Sequence, residues 1–531
     1  MKKLLPLFIL PLLLLGCSGL KKGTSSKVID PATLAKEITA ADLKTHLTIL
    51  ASDEFEGRET GTEGNKKAAN YIAGVFEKNG LPKIGADDSY FQPVQFNWTN
   101  WEDIEIFVEN KRFKHLWNFI SFSERNVDMP ELKASEITFL GYGIDDPKYN
   151  DYQGVDVKGK VVLVYKGEPM NEAGKSYLSG TTEASAWSTD WTKKLMAAKK
   201  HGVKAILIVE NEIQKMLAEN RRFLIGPTLT MGDKKATDTY VNNCYISTDI
   251  AKEIIGDRLP EIIAAREQIK KTGKAKAITI QQDFTLIQKK KERSLIGENV
   301  LGYIEGSDPV LKKEIVVVTA HYDHLGKRGD GIYNGADDNG SGTSTLLEVA
   351  QALAKAKSQG IGPKRSVLVM LVTGEEKGLL GSQYYTEHPI FPLENTIVDI
   401  NVDMVGRVDE KYQDNPNYIY VIGSDRLSTE LHTINEAMNE KYTNLTLDYT
   451  YNAESDPNRY YYRSDHYNFA EKGIPAIFYF NGTHKDYHRT SDTVDKINFE
   501  KMEIIAKLVF HTTWELANRK KRIVVDVTPD S

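Results

Sequence analysis

The run Ile315-Val316-Val317-Val318-Thr319-Ala320, which leads straight into His321-Tyr322-Asp323-His324, decides the fold. Continuous apolar residues, mostly β-branched, suit a strand buried on both faces, as in the centre of a largely parallel sheet. Two further runs have the same texture. Ser366–Thr373 leads into Gly374-Glu375-Glu376, and Ile397–Val402 leads into Asp403-Met404-Val405-Gly406. Between and after them, Ser341–Lys357, Ser428–Lys441 and Glu500–Asn518 carry apolar residues at helical spacing. Strands alternating with helices predict an α/β fold, a doubly wound α/β/α sandwich. Ligand sites in such folds lie beyond the carboxyl ends of the strands, and here those ends carry His and carboxylate side chains.

Outward from this core the texture changes. The chain has 531 residues, more than one hydrophobic core supports, so two to four domains are expected. Residues 31–130 read as the N-terminal part of the main domain, with helical spacing over Ala40–Ala51 and Asn65–Lys78. A loop, Glu54-Phe55-Glu56-Gly57-Arg58 and then Gly61-Thr62-Glu63-Gly64, separates the two helices. Residues 131–293 are turn-rich with short strands. Residues 294–518 hold the strand–helix alternation, and 519–531 form a basic, then acidic, tail.

The chain opens differently. Lys2 and Lys3 precede an apolar run, Leu4–Leu15, too short to span a bilayer but suited to a signal peptide. It ends in Leu14-Leu15-Gly16-Cys17, not in a small-residue cleavage site. That resembles the lipobox of bacterial lipoproteins, with 1–16 removed, Cys17 lipidated and 17–30 a flexible tether. The expected location is the bacterial cell envelope, with a lipid anchor to a membrane. A net charge of −6 without a long basic run argues against nucleic acid as a partner. Two cysteines exclude a Cys-rich zinc module, so any metal site must use His and carboxylates. Cys244 reads as a small buried hydrophobe.

The candidate donors are spread over several edges. Gly335-Ala336-Asp337-Asp338-Asn339-Gly340-Ser341-Gly342 opens the helix after the first strand. Arg463-Ser464-Asp465-His466 and Tyr487-His488-Arg489-Thr490-Ser491-Asp492-Thr493 come late in the chain. Each motif alone is common; their order and strand context are not. Together they resemble the two-zinc aminopeptidases, metallopeptidase family 28 of clan MH, from about residue 35 to 515. Residues 131–293 resemble a protease-associated domain, a small β-rich insert of several secreted peptidases, most specifically in Gly154-Val155-Asp156-Val157-Lys158-Gly159-Lys160-Val161-Val162-Leu163-Val164.

The family resemblance implies a role for each position. His321 and Asp403 bind one zinc, Glu376 and His488 the other, and Asp338 bridges both. Asp338 rather than Asp337 fits the family spacing before Ser-Gly. Asp323 accepts a hydrogen bond from the imidazole of His321 and fixes its tautomer. Glu375 is the general base, Tyr487 hydrogen-bonds the developing oxyanion, and Arg463 contacts substrate. His466 is as compatible with helix-start packing as with substrate contact, and His324, His388 and His484 are left as structural or surface residues. The resemblance thus implies two Zn2+ per chain and a peptide substrate cut at its N-terminus. Other readings are a carboxypeptidase or dipeptidase of the same clan, a one-zinc glutaminyl cyclase relative, and an inactive binding protein on this fold.

Overall fold

Four parallel strands form the centre of the main sheet, in the order Ala476–Phe480, Thr396–Val402, Ile315–His321, Ser366–Val372. The structure, a computed structural model, describes residues 30–232 and 239–528. Cys17, its signal-like segment and all but the last residue of the tether lie outside the described residues. Every residue of Ile315–His321, Ser366–Val372 and Thr396–Val402 is buried, as continuous apolar runs require. Antiparallel strands border the parallel set: Tyr418–Ile422 on one side and the far end of Ile278–Ile304 on the other.

Side chains alternate between two cores. Val316, Val318 and Ala320 meet the helices Ala40–Leu50, Glu63–Lys78, Gly342–Ser358 and Phe499–Asn518. Ile315 and Val317 face the opposite way, toward Tyr385 of Leu380–Glu387 and Phe469 of His466–Glu471. This is the α/β/α sandwich predicted from the sequence. Its register sets the site. His321 pairs with Val372, just before the Gly374-Glu375-Glu376 turn. Thr319 pairs with Asn401, so the same register continued two residues sets His321 beside Asp403.

The second unit hangs on one long ladder. Phe91–Val108 runs antiparallel to Ile278–Ile304, from Phe91 opposite Val300 to Val108 opposite Phe284. Beyond it, Met129–Phe139, Val161–Tyr165, Ala205–Val209 and Asn242–Ile246 extend the sheet in parallel. The sequence places this unit at 131–293 and reads it as small and β-rich. In the structure Ile106, Val108, Phe113 and Phe119 already pack into its core, so the unit starts earlier. Helices cover both its faces: Thr248–Ile255 and Leu259–Thr272 on one, Trp191–Lys200 and Ile213–Ile225 on the other. The parallel strands there need crossover connections, and those connections are the helices. Cys244 lies in this core, where burial pushes its thiol up to about 12.

Candidate metal centre

Turns bring the donors together at the carboxyl edge of the parallel strands. Gly374, at φ 74°, reverses the chain directly after Ser366–Val372 and delivers Glu375 and Glu376. Gly335, at φ 53°, opens the turn Ala336–Ser341 that presents Asp338 ahead of the helix Gly342–Ser358. Met404 and His488 also hold positive φ, 54° and 56°. Strain of this kind gathers where surrounding contacts over-determine a site.

Asp338 stands between two groups of donors. Its Oδ1 lies 3.5 Å from His321 Nε2, while its Oδ2 lies 3.1 Å from His488 Nε2. On the first side, Asp403 Oδ1 is 3.3 Å and Glu375 Oε2 is 3.8 Å from His321 Nε2. On the second side, Glu376 Oε1 is 3.2 Å from His488 Nε2. Asp338, Glu375, Glu376, Asp403, Arg463, Tyr487 and His488 line one cavity. The sequence-predicted residues therefore share one place in the fold.

The neighbours fix each donor. Ser464 Oγ donates to Asp403 Oδ2 at 2.9 Å, and Asn401 Nδ2 donates to Ser464 Oγ at 2.8 Å. His321 Nδ1 lies 3.1 Å from the backbone carbonyl of Asp323 but 3.8 Å from its carboxylate. The hydrogen bond expected of the Asp323 carboxylate is thus made by its main chain. The carboxylate instead accepts from Thr60 Oγ1 at 2.7 Å and from the amides of Glu375 and Glu376 at 3.2 and 3.4 Å. It steers the two-glutamate turn. Behind the site, the buried Arg58 donates to the carbonyls of Leu50, Tyr322, Asn334 and Gly335 at 2.7–2.9 Å.

Adjacent residues separate cleanly. Asp337 Oδ1 accepts from the Gly406 amide at 2.6 Å, and its Oδ2 lies 3.3 Å from Asn481 Nδ2 and 3.1 Å from His484 Nε2. It ties loops together and faces away from His321 and His488. His466 is buried against Phe478, with ring centroids 4.8 Å apart, and burial pushes it down to about 3. His388 packs on Tyr384 with centroids 4.6 Å apart. His324 departs from its expected place: it lies fully buried within the centre, its Nδ1 2.9 Å from Glu376 Oε1. The sequence signal was its position three residues after His321, past the strand end, where periodicity no longer tells which way a side chain points.

Electrostatics divide the carboxylates. Burial raises Glu376, but His488 and His324 outweigh it and hold its carboxyl well below the ordinary range. Burial pushes Glu375 well above that range; His321 opposes this, and Glu376 and Asp403 add to it. Asp465, buried beside them, is pushed up to about 7 chiefly by burial. Burial lowers His488, but Glu376 and Asp338 carry it up to about 10. So many buried carboxylates call for cations.

The donor set fits zinc. Two donors, each about 2.0–2.2 Å from one tetrahedral zinc, lie roughly 3.3–3.5 Å apart. The spacings around Asp338, 3.1–3.5 Å, fall close to that figure. Two tight donor groups stand out among the described residues, His321 with Glu375 and Asp403, and His324 with Asp338 and Glu376. Imidazole and carboxylate without thiolate suit a metal that activates water.

Fold and donor set together define a metal-dependent hydrolase built on an α/β/α sheet edge. Residues 299–513 match the sequence profile of Peptidase family M28. Over almost its whole length the chain is similar to Aminopeptidase YwaD of Bacillus subtilis (strain 168). The identity is 24% over 546 residues, covering 98% of this chain and 96% of that protein. An aminopeptidase from Aneurinibacillus sp. strain AM-1 shares the fold at TM-score 0.56 and 19% identity, over 94% of this chain and 100% of that one. A zinc aminopeptidase from Bacillus subtilis does so at TM-score 0.50 and 20% identity, over 92% and 99%.

Proposed function

We propose that this protein is a zinc-dependent aminopeptidase that removes N-terminal residues from peptides at the bacterial cell envelope. One observation carries the reading: His321, Asp338, Glu375, Glu376, Asp403 and His488 meet at one sheet edge. His321 and Asp403 would hold one zinc, Glu376 and His488 the other, and Asp338, with one oxygen turned to each side, would serve both. An oxygen for each side favours two ions over the single zinc of a glutaminyl cyclase. Zinc bound there supplies Lewis acidity toward the scissile carbonyl and makes water nucleophilic near neutral pH.

The chain's own groups do the rest. Glu375 is the general base: burial makes its carboxylate more basic than an ordinary glutamate. Tyr487 keeps its proton, because burial and then the charges of Asp338 and Glu376 push its hydroxyl far up. Arg463 reaches that hydroxyl oxygen at 3.5 Å, which leaves the phenolic proton free for a developing oxyanion. Stacking on His488, with centroids 3.9 Å apart, fixes the Tyr487 ring. The cavity wall of Met404, Tyr460, Tyr462, Phe478 and Phe480 fits a large apolar side chain next to the scissile bond. Glu375 and Asp403 complement a free α-ammonium group.

A panel of leucyl, glutamyl and N-acetyl-leucyl fluorogenic substrates tests this. Leucyl substrates should be cleaved fastest and the acetylated one not at all, and chelation should stop turnover. Equal cleavage of the acetylated substrate refutes the N-terminal reading. We place the protein on a membrane through lipidated Cys17, supported by the Leu14-Leu15-Gly16-Cys17 sequence. Cys17→Ala should leave the membrane fraction, and its persistence there would refute the anchor. The unit between the long strands is, on its Gly154–Val161 sequence, a protease-associated domain.

A further inference from the structure

We infer that Asp399 is a hydrogen-bond donor that starts a one-way chain of hydrogen bonds ending on Asp403, and so acts as a positioning residue for it; this rests on the reading of Asp403 as a zinc ligand given above. The strand Thr396–Val402 is buried throughout, yet it is not wholly apolar. Val398, Ile400 and Val402 pack into the helix-covered core, so the alternation of a strand turns Asp399 and Asn401 to the other face of the sheet. Thr319 of the neighbouring strand pairs with Asn401. Thr319, Asp399, Asn401 and Ser464 are all buried. Polar groups held there must bond to one another.

The contacts form one line. Thr319 Oγ1 lies 3.0 and 3.2 Å from the two carboxyl oxygens of Asp399 and 2.9 Å from Asn401 Oδ1. Asn401 Nδ2 lies 2.8 Å from Ser464 Oγ, which lies 2.9 Å from Asp403 Oδ2. Counting protons fixes the direction. A metal-binding carboxylate only accepts, so Ser464 gives its one O–H to Asp403. Ser464 must then accept, which turns the N–H group of Asn401 toward it and the side-chain carbonyl of Asn401 toward Thr319. That carbonyl takes the one proton of Thr319. Thr319 has none left, so the Asp399 carboxyl carries a proton and donates it to Thr319.

The surroundings suit a neutral acid. Burial pushes the Asp399 carboxyl well above the ordinary carboxylate range, and the charge of Asp465 adds to this. The Ile400 amide donates to the same carboxyl, so one oxygen accepts while the other donates. An ionised Asp399 would reverse the line: Thr319 would donate to it, Asn401 would turn over, and Ser464 would face Asp403 with a lone pair. In the order inferred, every donor points toward Asp403. The chain holds Oδ2 of Asp403 and leaves Oδ1, on the His321 side, for the ion. Outer partners of this kind orient a metal ligand and tune its basicity.

Two measurements test this, neither of which reads turnover. The infrared difference between wild type and Asp399→Asn at neutral pH should show the carbonyl stretch of a protonated carboxyl, present in the wild type and lost in the variant. Loss of a carboxylate band instead overturns the donor assignment. Wild type, Asp399→Asn, Asp399→Leu and Thr319→Val are also dialysed against graded chelator, and zinc per chain is measured by elemental analysis. Melting of the zinc-free proteins verifies that the variants fold. Asp399→Asn keeps an N–H donor for Thr319 and should hold zinc like the wild type. Asp399→Leu and Thr319→Val break the chain and should release one ion at a free-zinc level raised about tenfold, the lower end of the 10–100-fold range of outer-shell changes. Folded Asp399→Leu and Thr319→Val proteins that hold zinc as tightly as the wild type overturn the positioning role. Either failure leaves the two-zinc reading standing, whereas a wild type without zinc overturns both.

Discussion

Arg58→Met removes the clamp behind the metal centre while keeping most of the side-chain volume. The guanidinium is fully buried, and burial, opposed by Asp338 and Asp492, pushes it down to about 10. Taking the cation out of water opposes folding. Against that stand four hydrogen bonds to main-chain carbonyls, each worth about 1.5–3 kcal/mol when the donor is charged. The bonds win, and the substitution also strands four buried acceptors. A net local loss of about 3–5 kcal/mol is expected, the range for breaking a buried charge from its partners. Three of the four acceptors, Tyr322, Asn334 and Gly335, sit on the segments that carry His321, His324 and Asp338, so the loss should appear there. Hydrogen exchange of the zinc-free protein is the assay. Amides of 321–340 should exchange about 10²–10⁴-fold faster in Arg58→Met, at tenfold per 1.4 kcal/mol. The second unit should be unchanged. Arg58→Lys should fall close to the methionine variant, because one ammonium cannot span four carbonyls. Exchange of 321–340 at the wild-type rate in Arg58→Met refutes the clamp.

The paired glutamates should separate by metal content: Glu375→Gln should keep zinc and lose turnover by about 10²–10⁴-fold. Glu376→Gln should lose zinc first and recover partly at high zinc, and the reverse pattern would shift the assignment by one residue. Asp338→Asn should lose metal, whereas Asp337→Asn should keep it and lose about 1–3 kcal/mol of stability through its buried contacts with Gly406, Asn481 and His484; zinc analysis beside melting decides this. Lys194, buried in the second unit, donates to the carbonyl of Tyr165 at 3.1 Å and is pushed down to about 7 by burial. Its folded pKa lies below the unfolded value near 10.5, so the unfolded chain binds the extra proton between pH 7 and 10.5, and stability should rise with pH across that window. Lys194→Met should flatten the rise in melting temperature, and an unchanged slope would show that Lys194 is not its source.

The catalytic half was legible because burial on both faces writes itself into sequence. Runs such as Ile315–Ala320 leave no doubt about a central strand, and position at the strand end then places His321 and Asp403. Asp338 was legible only through the family resemblance, whose spacing before Ser341-Gly342 it fits, while Asp337 beside it differs only in the direction of its side chain. His324 was not legible, because its place depends on how Arg58 and Gly335, distant in sequence, fold the loop. Asp323 shows the same limit: its proximity to His321 was legible, but not which of its oxygens faces the ring. The start of the second unit was missed because Phe91–Val108 is one strand serving two cores, and its composition does not change where it passes between them.

That strand also bears on how such a chain can be assembled. Trp98 and Arg293 face each other across the ladder, so the polypeptide leaves the catalytic half and returns to it one strand spacing apart, roughly 5 Å. A module whose ends meet that closely can be gained, lost or exchanged by recombination with no linker on either side. A tight hairpin joining the two strands would close the gap it left. The same pairing makes the junction a stiff ribbon rather than a swivel, so whatever is grafted there inherits a fixed orientation over the catalytic sheet.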